Sequence, residues 1–364
     1  MPDKGGPLGG LKVVELGGIG PAPFAGMLLA DLGADVVRVD RPGPGSPLAG
    51  DPGLDLLNRG KRSITADLRR DDGRELVLDL VERAAVLIEG FRPGVAERLG
   101  VGPEPALDRN PALVYGRMTG WGQDGPLAAS AGHDITYLAI TGALHATGRA
   151  GGPPQVPVNL LGDFGGGALY LVVGVLAALR SGRGQVVDAA VTDGVVHLTT
   201  LLHGLIAEGR WRDDRGVNLL DTGAPFYDVY RAKDGGYLAV GALEPQFYAE
   251  FIRLLAPGGD LPEQHDRARW PELRAAIAAA FATRTRQEWA AVFEGTEACV
   301  APVLSLAEAA RHPHLVSRQT FDRRGGVLQP SAAPRFSETP LRPARRPPVP
   351  GEHLREVRTD WGLE

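Results

Sequence analysis

Sulfur is nearly missing from this chain: among 364 residues there is one cysteine, Cys299, and three methionines, Met1 included. A single cysteine excludes an internal disulfide and any cysteine-based zinc or iron–sulfur cluster built by one chain. Cys299 therefore reads as a small buried side chain. The opening Met1-Pro2-Asp3-Lys4-Gly5-Gly6 lacks a basic region followed by an apolar core, and no uninterrupted apolar stretch reaches membrane-spanning length. The final Trp361-Gly362-Leu363-Glu364 is not a peroxisomal address of the Ser-Lys-Leu type. The expectation is a cytoplasmic protein without a membrane partner. Nor is there a basic excess, since Lys and Arg number 39 against 44 Asp and Glu, a net charge of −5. A nucleic-acid partner is not expected, because such proteins present a basic face.

What is present is glycine and proline, 50 and 30 residues, without the period of a collagen or a repeat. That implies many turns and close backbone approaches. Hydrophobic residues at 43% and charged residues at 23% are ordinary globular values, and the length allows two domains with a large core.

Leu11 to Leu16 reads as a strand, Ala22 to Leu32 as an amphipathic helix and Ala34 to Asp40 as a second strand, which together make a βαβ unit. Gly17-Gly18-Ile19-Gly20 and Asp40 invite a dinucleotide-binding reading, but Pro23 stands where the third glycine belongs. Further strands are expected at 63–66, 86–89, 112–116 and 184–190, with a helix from Asp72 to Ala84. Strands and helices alternating at this pace predict a doubly wound, mostly parallel sheet whose ligands gather beyond the carboxyl ends of its strands. A helix is expected from Thr192 to Glu208, then a polar linker from Gly209. A hairpin at 226–231 and 237–241, three helices (246–255, 271–281, 286–293) and an apolar strand at 299–304 follow. Beyond Arg318 the chain is rich in Pro and Arg, with an extended connector from Pro340 to Pro350, until a last segment from His353 to Trp361.

The stretch with chemical promise runs from Gly132 to Gly167. It places His133 and Asp163 on different elements, each beside glycines that permit close approach. Asp163 precedes Phe164, three glycines and an apolar run to Leu179, so it reads as the N-cap of a buried helix whose free N–H groups could receive an oxyanion. On pattern alone an N-cap and a packed or solvated histidine are the plainer reading of the pair. No third ligand at a suitable spacing accompanies His197, His203, His312 or His314, so no metal site is expected.

The wording of Gly132-His133-Asp134, Gly162-Asp163-Phe164-Gly165-Gly166-Gly167 and Gly241-Ala242-Leu243-Glu244-Pro245-Gln246-Phe247 resembles the α-methylacyl-CoA racemases of the family III CoA-transferase superfamily, over nearly the whole chain. The resemblance implies a Rossmann-like doubly wound large domain plus a small α+β domain: residues 1–208 large, 209–224 linker, 225–318 small, 319–364 a return linker completing the large domain. It also implies an interlocked homodimer, with each active site between the large domain of one chain and the small domain of the other.

The activity implied is epimerisation of the 2-methyl centre of an acyl-CoA thioester in lipid metabolism, with no cofactor beyond the CoA of the substrate. A proton next to a thioester carbonyl is only weakly acidic, so the enolate must be stabilised as a base removes the proton, and inversion needs an acid on the opposite face. His133 and Asp163 would be that pair. The N–H at the start of the Asp163 helix would hold the thioester oxygen. Asp134, Asn159 and Tyr137 would orient the two groups, and Glu244 would set the protonation of His133. The strings Val39-Asp40-Arg41-Pro42, Asn58-Arg59-Gly60-Lys61-Arg62 and Glu89-Gly90-Phe91-Arg92-Pro93-Gly94 resemble CoA-binding segments, which implies contacts from Arg38, Arg41, Asn58, Arg59, Lys61, Glu89, Arg92 and Arg98, with Arg38, Lys61 and Arg92 foremost. The alternative is a CoA-transferase in which Asp163 is the nucleophile and His133 is dispensable. Scarce methionine gives little support to a methionine-lined slope for a long acyl chain, and the preferred acyl group stays open.

Overall fold

The computed structural model describes residues 5–43, 50–256, 261–342 and 344–363. Met1 to Lys4, Pro343 and Glu364, named above, lie outside the described residues. The chain divides into two compact units, one of Met1–Thr141, Pro157–Thr199 and His314–Glu364, the other of Gly142–Val156 and Thr200–Pro313.

In the first unit, six strands form one parallel sheet: β1 (Lys12–Leu16), β2 (Asp35–Asp40), β3 (Arg62–Thr65), β4 (Val86–Glu89), β5 (Val114–Thr119) and β6 (Gln185–Ala190), in the order β3-β2-β1-β4-β5-β6. That is the order of two joined mononucleotide-binding halves, with the reversal between β1 and β4. The central strands read as near-continuous Val, Leu and Ile because helices cover both faces. Val14, Val37, Ile64, Leu87 and Tyr115 are fully buried in one core cluster, which Val357 and Trp361 of the closing helix Leu354–Trp361 complete.

Charge is buried in this unit too. Glu15 of β1 is fully buried between two cations, Lys61 Nζ at 2.7 Å and Arg38 Nη1 at 3.0 Å. Lys61 also donates to the Pro23 carbonyl of the helix Pro21–Asp31 and to Asn58 Oδ1. Burial pushes its ammonium down to about 8. A Cβ on Gly26 would lie 1.8 Å from Glu15 Oε2, so only glycine lets that helix sit on the ion pair.

In the second unit, β7 (Tyr227–Arg231), β8 (Tyr237–Gly241) and β9 (Val300–Pro302) form an antiparallel sheet. Helices Pro245–Leu255, Trp270–Phe281 and Arg286–Phe293 bury Phe251, Phe281 and Trp289 against it. Segment 209–223 carries no helix or strand, yet it is tied down: Asn218 is buried and bonded to Arg212, Asp214 and Asp221.

Four expectations are corrected. The helix expected from Thr192 to Glu208 is two helices, Val191–Leu198 and Thr200–Ala207, parted at Thr199, whose hydroxyl donates back to the Val196 carbonyl. Cys299 is exposed, at φ 54° before β9. Residues beyond Arg318 include a hairpin, β10 (Phe321–Arg324) with β11 (Val327–Pro330), turned by Gly325 and Gly326, both at positive φ. By length and composition Leu160–Ser181 could also cross a membrane, but Asp163 interrupts it, so the expectation of no uninterrupted apolar stretch of that length stands, and the later part of the helix packs on β5 and β6. Asp163 is not an N-cap, because the helix begins three residues earlier, at Leu160.

Removing the carboxylate between two buried cations leaves Lys61 without its ion-pair partner and Arg38 with Asp40 alone. Glu15→Gln is expected to cost about 3–5 kcal/mol, read as a lower melting temperature, and Lys61→Met in the same chain should recover part of the loss.

Candidate functional site

Asp163 sits inside a wide turn. Residues Leu160–Ala168 wind as a π-helix that leads directly into the α-helix Leu169–Ser181, and the Phe164 N–H reaches back five residues to the Asn159 carbonyl at 3.3 Å. Single π-turns of this sort recur at functional sites. Its glycines are a packing demand: a Cβ on Gly166 would lie 2.5 Å from Val195 Cγ2, and one on Gly194 would lie 1.8 Å from the Gly166 carbonyl oxygen. The helix Val191–Leu198 thus presses on the turn, while Phe164 stacks on Phe24, ring centres 4.3 Å apart.

His133 enters from a different element. It precedes the helix Asp134–Ile140, and the Thr136 hydroxyl both receives its N–H at 2.9 Å and donates to its carbonyl at 2.7 Å. Its backbone is held while its ring is exposed. Asp134 ties the two elements together. Its Oδ1 accepts the Asp163 N–H at 2.7 Å, and the Gly162 N–H also bonds to this carboxylate. A Cβ on Gly162 would lie 2.2 Å from that oxygen. The Asp163 N–H is therefore committed to Asp134 rather than free for a thioester oxygen.

The electrostatics single out Asp163. Burial, then the neighbouring Asp134 charge, push its carboxyl up to about 6, against the hydrogen bond from Asn159 and the influence of His133. Burial also raises Asp134. Tyr137 packs edge-on to Trp121 and fills space that a Cβ on Gly120 or Gly132 would occupy. Burial first, then Asp163, raise its hydroxyl, while Arg92 acts in the opposite sense. His133, Asp134, Tyr137, Asn159 and Asp163 thus form one neighbourhood. Glu244 belongs to the second unit, exposed at the start of the Pro245–Leu255 helix.

The basic residues fall into two sets. Arg38, Arg59 and Lys61 are buried and partnered: Arg38 with Glu15, Asp40 and Asn58, Arg59 with Asp31 at 2.6 Å, Lys61 with Glu15. Asn58 is itself buried within that cluster. Arg41, Arg92 and Arg98 are exposed. Glu89, fully buried, accepts the Phe91 N–H at 2.6 Å and Arg117 Nε at 2.9 Å, which fixes the turn that presents Arg92.

One feature was missed in the residues. Gly20, at φ 71° in the loop after β1, faces Asp163 closely enough that a Cβ there would lie 3.4 Å from Oδ2. Beside it opens a cavity of about 520 Å3 lined by Gly18, Ile19, Gly20, Pro23, Gly50, Asp51, Leu54, Asp55, Leu56 and Leu57. The available signal was Gly18-Ile19-Gly20-Pro21-Ala22-Pro23, a glycine loop at a strand end that fits no dinucleotide motif.

A carboxyl of raised pKa near an imidazole, beyond the carboxyl end of β1, defines a doubly wound α/β protein equipped for acid–base chemistry. Residues 8–354 match CoA-transferase family III, and the chain belongs to that family. It is 46% identical over 363 residues to the alpha-methylacyl-CoA racemase of Mus musculus, covering 98% of this chain and 93% of that one. Its identity to the alpha-methylacyl-CoA racemase of Homo sapiens is 44% over 363 residues, covering 98% and 94%. Among solved structures, a CAIB/BAIF family protein from Brucella suis has a TM-score of 0.84 at 29% identity, covering 98% of this chain and all of that one.

Linkage gives the site a stability signature. The folded pKa of Asp163, about 6, lies above its unfolded value, so the favourable contribution is complete below about pH 4 and is lost as pH rises through about 6. The stability of Asp163→Asn relative to the parent should grow, by about 1–2 kcal/mol once solvent screening of this half-buried carboxyl is allowed for, between about pH 4 and pH 8, measured by urea unfolding at each pH; a pH-independent difference contradicts the assignment.

Proposed function

We propose that this protein is a 2-methylacyl-CoA racemase that moves a proton between the two faces of the α-carbon through an enolate. The carrying observation is the pairing of a half-buried Asp163, its carboxyl at about 6, with the exposed ring of His133 on a separate element tied to it by Asp134. The racemase relatives, nearly half identical over almost the full chain, support the same reading.

In one direction the Asp163 carboxylate takes the α-proton, the C–H electron pair moves into the enolate, and His133 as imidazolium delivers a proton to the opposite face. The reverse direction exchanges the roles, and solvent protons reset both groups. A carboxyl near 6 suits this work, since at neutral pH it is ionised yet remains a competent acid. Asn159 and Asp134 hold Asp163 in place, one at its side chain and one at its backbone. For the CoA phosphates we assign the exposed Arg41, Arg92 and Arg98, whereas the buried Arg38, Arg59 and Lys61 shape the floor beneath them. A homodimer in which the partner's small domain brings its Glu244 counterpart to His133 completes the proposal.

The test is deuterium exchange at C2 of each epimer of a 2-methylacyl-CoA in deuterated water. The parent protein should label both epimers and interconvert them. His133→Gln and Asp163→Asn should each lose racemisation by about 10²–10⁴-fold, with labelling surviving for one epimer in each variant, the opposite one in the two cases. Retained hydrogen with transfer of CoA to an added carboxylate would establish the covalent alternative.

A further inference from the structure

The cavity beside Gly20 has no part in the acid–base step, yet it begins where that step ends. Gly20 is both a wall of the cavity and the residue packed against Asp163 Oδ2. A substrate whose α-carbon meets Asp163 therefore has the mouth of this cavity within reach of whatever is attached to that carbon. Ile19, Pro23, Leu54, Leu56 and Leu57 make the walls apolar, and Ile19 and Leu54 are more than half exposed, apolar surface that a ligand would cover. At about 520 Å3 it is of the size that small-molecule sites usually have and far larger than a methyl group requires.

Two carboxylates break the apolar lining, Asp51 and Asp55. Asp51 Oδ1 accepts the Gly53 N–H at 2.8 Å and Asp55 Oδ2 accepts Asn58 Nδ2 at 2.7 Å, and neither forms an ion pair among the described residues. The nearest buried cations, Arg38 and Lys61, are held by Glu15 and Asp40. Asp55 also acts on Arg38 and Lys61 through its charge, but Glu15, Asp40 and Asp55 together outnumber those two cations, and Asp51 has no cation partner among the described residues, so the cavity keeps an excess of negative charge. Such a wall attracts hydroxyl donors and repels a carboxylate, and repulsion of like charges is the stronger means of discrimination.

We infer that this cavity receives the acyl tail beyond C2, and that Asp51 and Asp55 select tails ending in a neutral or hydroxyl group against tails ending in a carboxylate. The inference rests on the racemase reading. It assigns a substrate class: branched monocarboxylyl thioesters, with dicarboxylyl thioesters of the same length excluded.

The experiment compares C2 deuterium exchange for three 2-methylacyl-CoA thioesters of equal length ending in methyl, hydroxyl or carboxylate, and for one short-tailed thioester. The parent should disfavour the carboxylate-ended substrate by about tenfold or more in kcat/KM, and Asp51→Asn, alone and with Asp55→Asn, should shrink that ratio. Leu57→Trp, which fills the cavity, should slow long-tailed substrates while sparing the short one. Exchange with an unchanged ratio in both Asp variants overturns the charge selection. Equal slowing of short and long tails by Leu57→Trp places another part of the thioester in the cavity and overturns the tail assignment. Absence of exchange with every thioester overturns the racemase reading itself, and this inference with it.

Discussion

The Glu15 carboxylate, fully buried on the first strand, sets conditions that the rest of the site inherits. It accepts charge from Lys61 and Arg38 at once, and each cation then reaches further: Lys61 to the Pro23 carbonyl of the first helix, Arg38 to the Gly18 carbonyl of the loop before it. Buried ion pairs are seldom a net gain in stability, because desolvation offsets most of the attraction. What this one supplies is position. The loop from Gly17 to Gly20 is braced from below, so that its last glycine stands against the Asp163 carboxyl and one wall of the adjoining cavity is fixed.

The acid itself shows how environment separates two like groups. Asp134 spends its carboxylate on backbone N–H groups and stays beside Asp163, so its charge makes ionisation of the second carboxyl harder. Proximity of like charges and partial burial act in the same direction here, as they do wherever one carboxyl is kept an acid near neutral pH. The hydrogen bond that positions Asp163 is thus also part of what raises it.

Most of the parallel sheet could be read in the residues, since strands such as Val86-Leu87-Ile88-Glu89 and Ala34 to Asp40 are bounded by turns and alternate with helices. The neighbourhood of His133 and Asp163 was legible through the resemblance that Gly132-His133-Asp134 and Gly162-Asp163-Phe164 carry, not through spacing. Its local geometry was not. Winding at Leu160–Ala168 depends on Gly166 meeting Gly194, a contact between segments nearly thirty positions apart that no local pattern announces. The arginines failed as a pattern for the same reason. Arg38, Arg41, Arg59, Lys61, Arg62, Arg92 and Arg98 look alike in sequence, and only the distant carboxylates Asp31, Asp35 and Glu15 decide which are locked in pairs and which face solvent. Gly325-Gly326 was a readable hairpin turn, hidden by the prolines around it.

The closing helix Leu354–Trp361 seals the core cluster of the first unit with Val357 and Trp361, and the Trp361 indole donates to Asp35 at the start of the second strand. Residues at opposite ends of the chain are thereby made neighbours, with a whole compact unit encoded between them. During synthesis the residues of the intervening unit emerge before this helix, so the flank that it covers stays open until Leu354–Trp361 has been made. The parallel sheet, the slower architecture to form, is also the one whose assembly the order of translation defers.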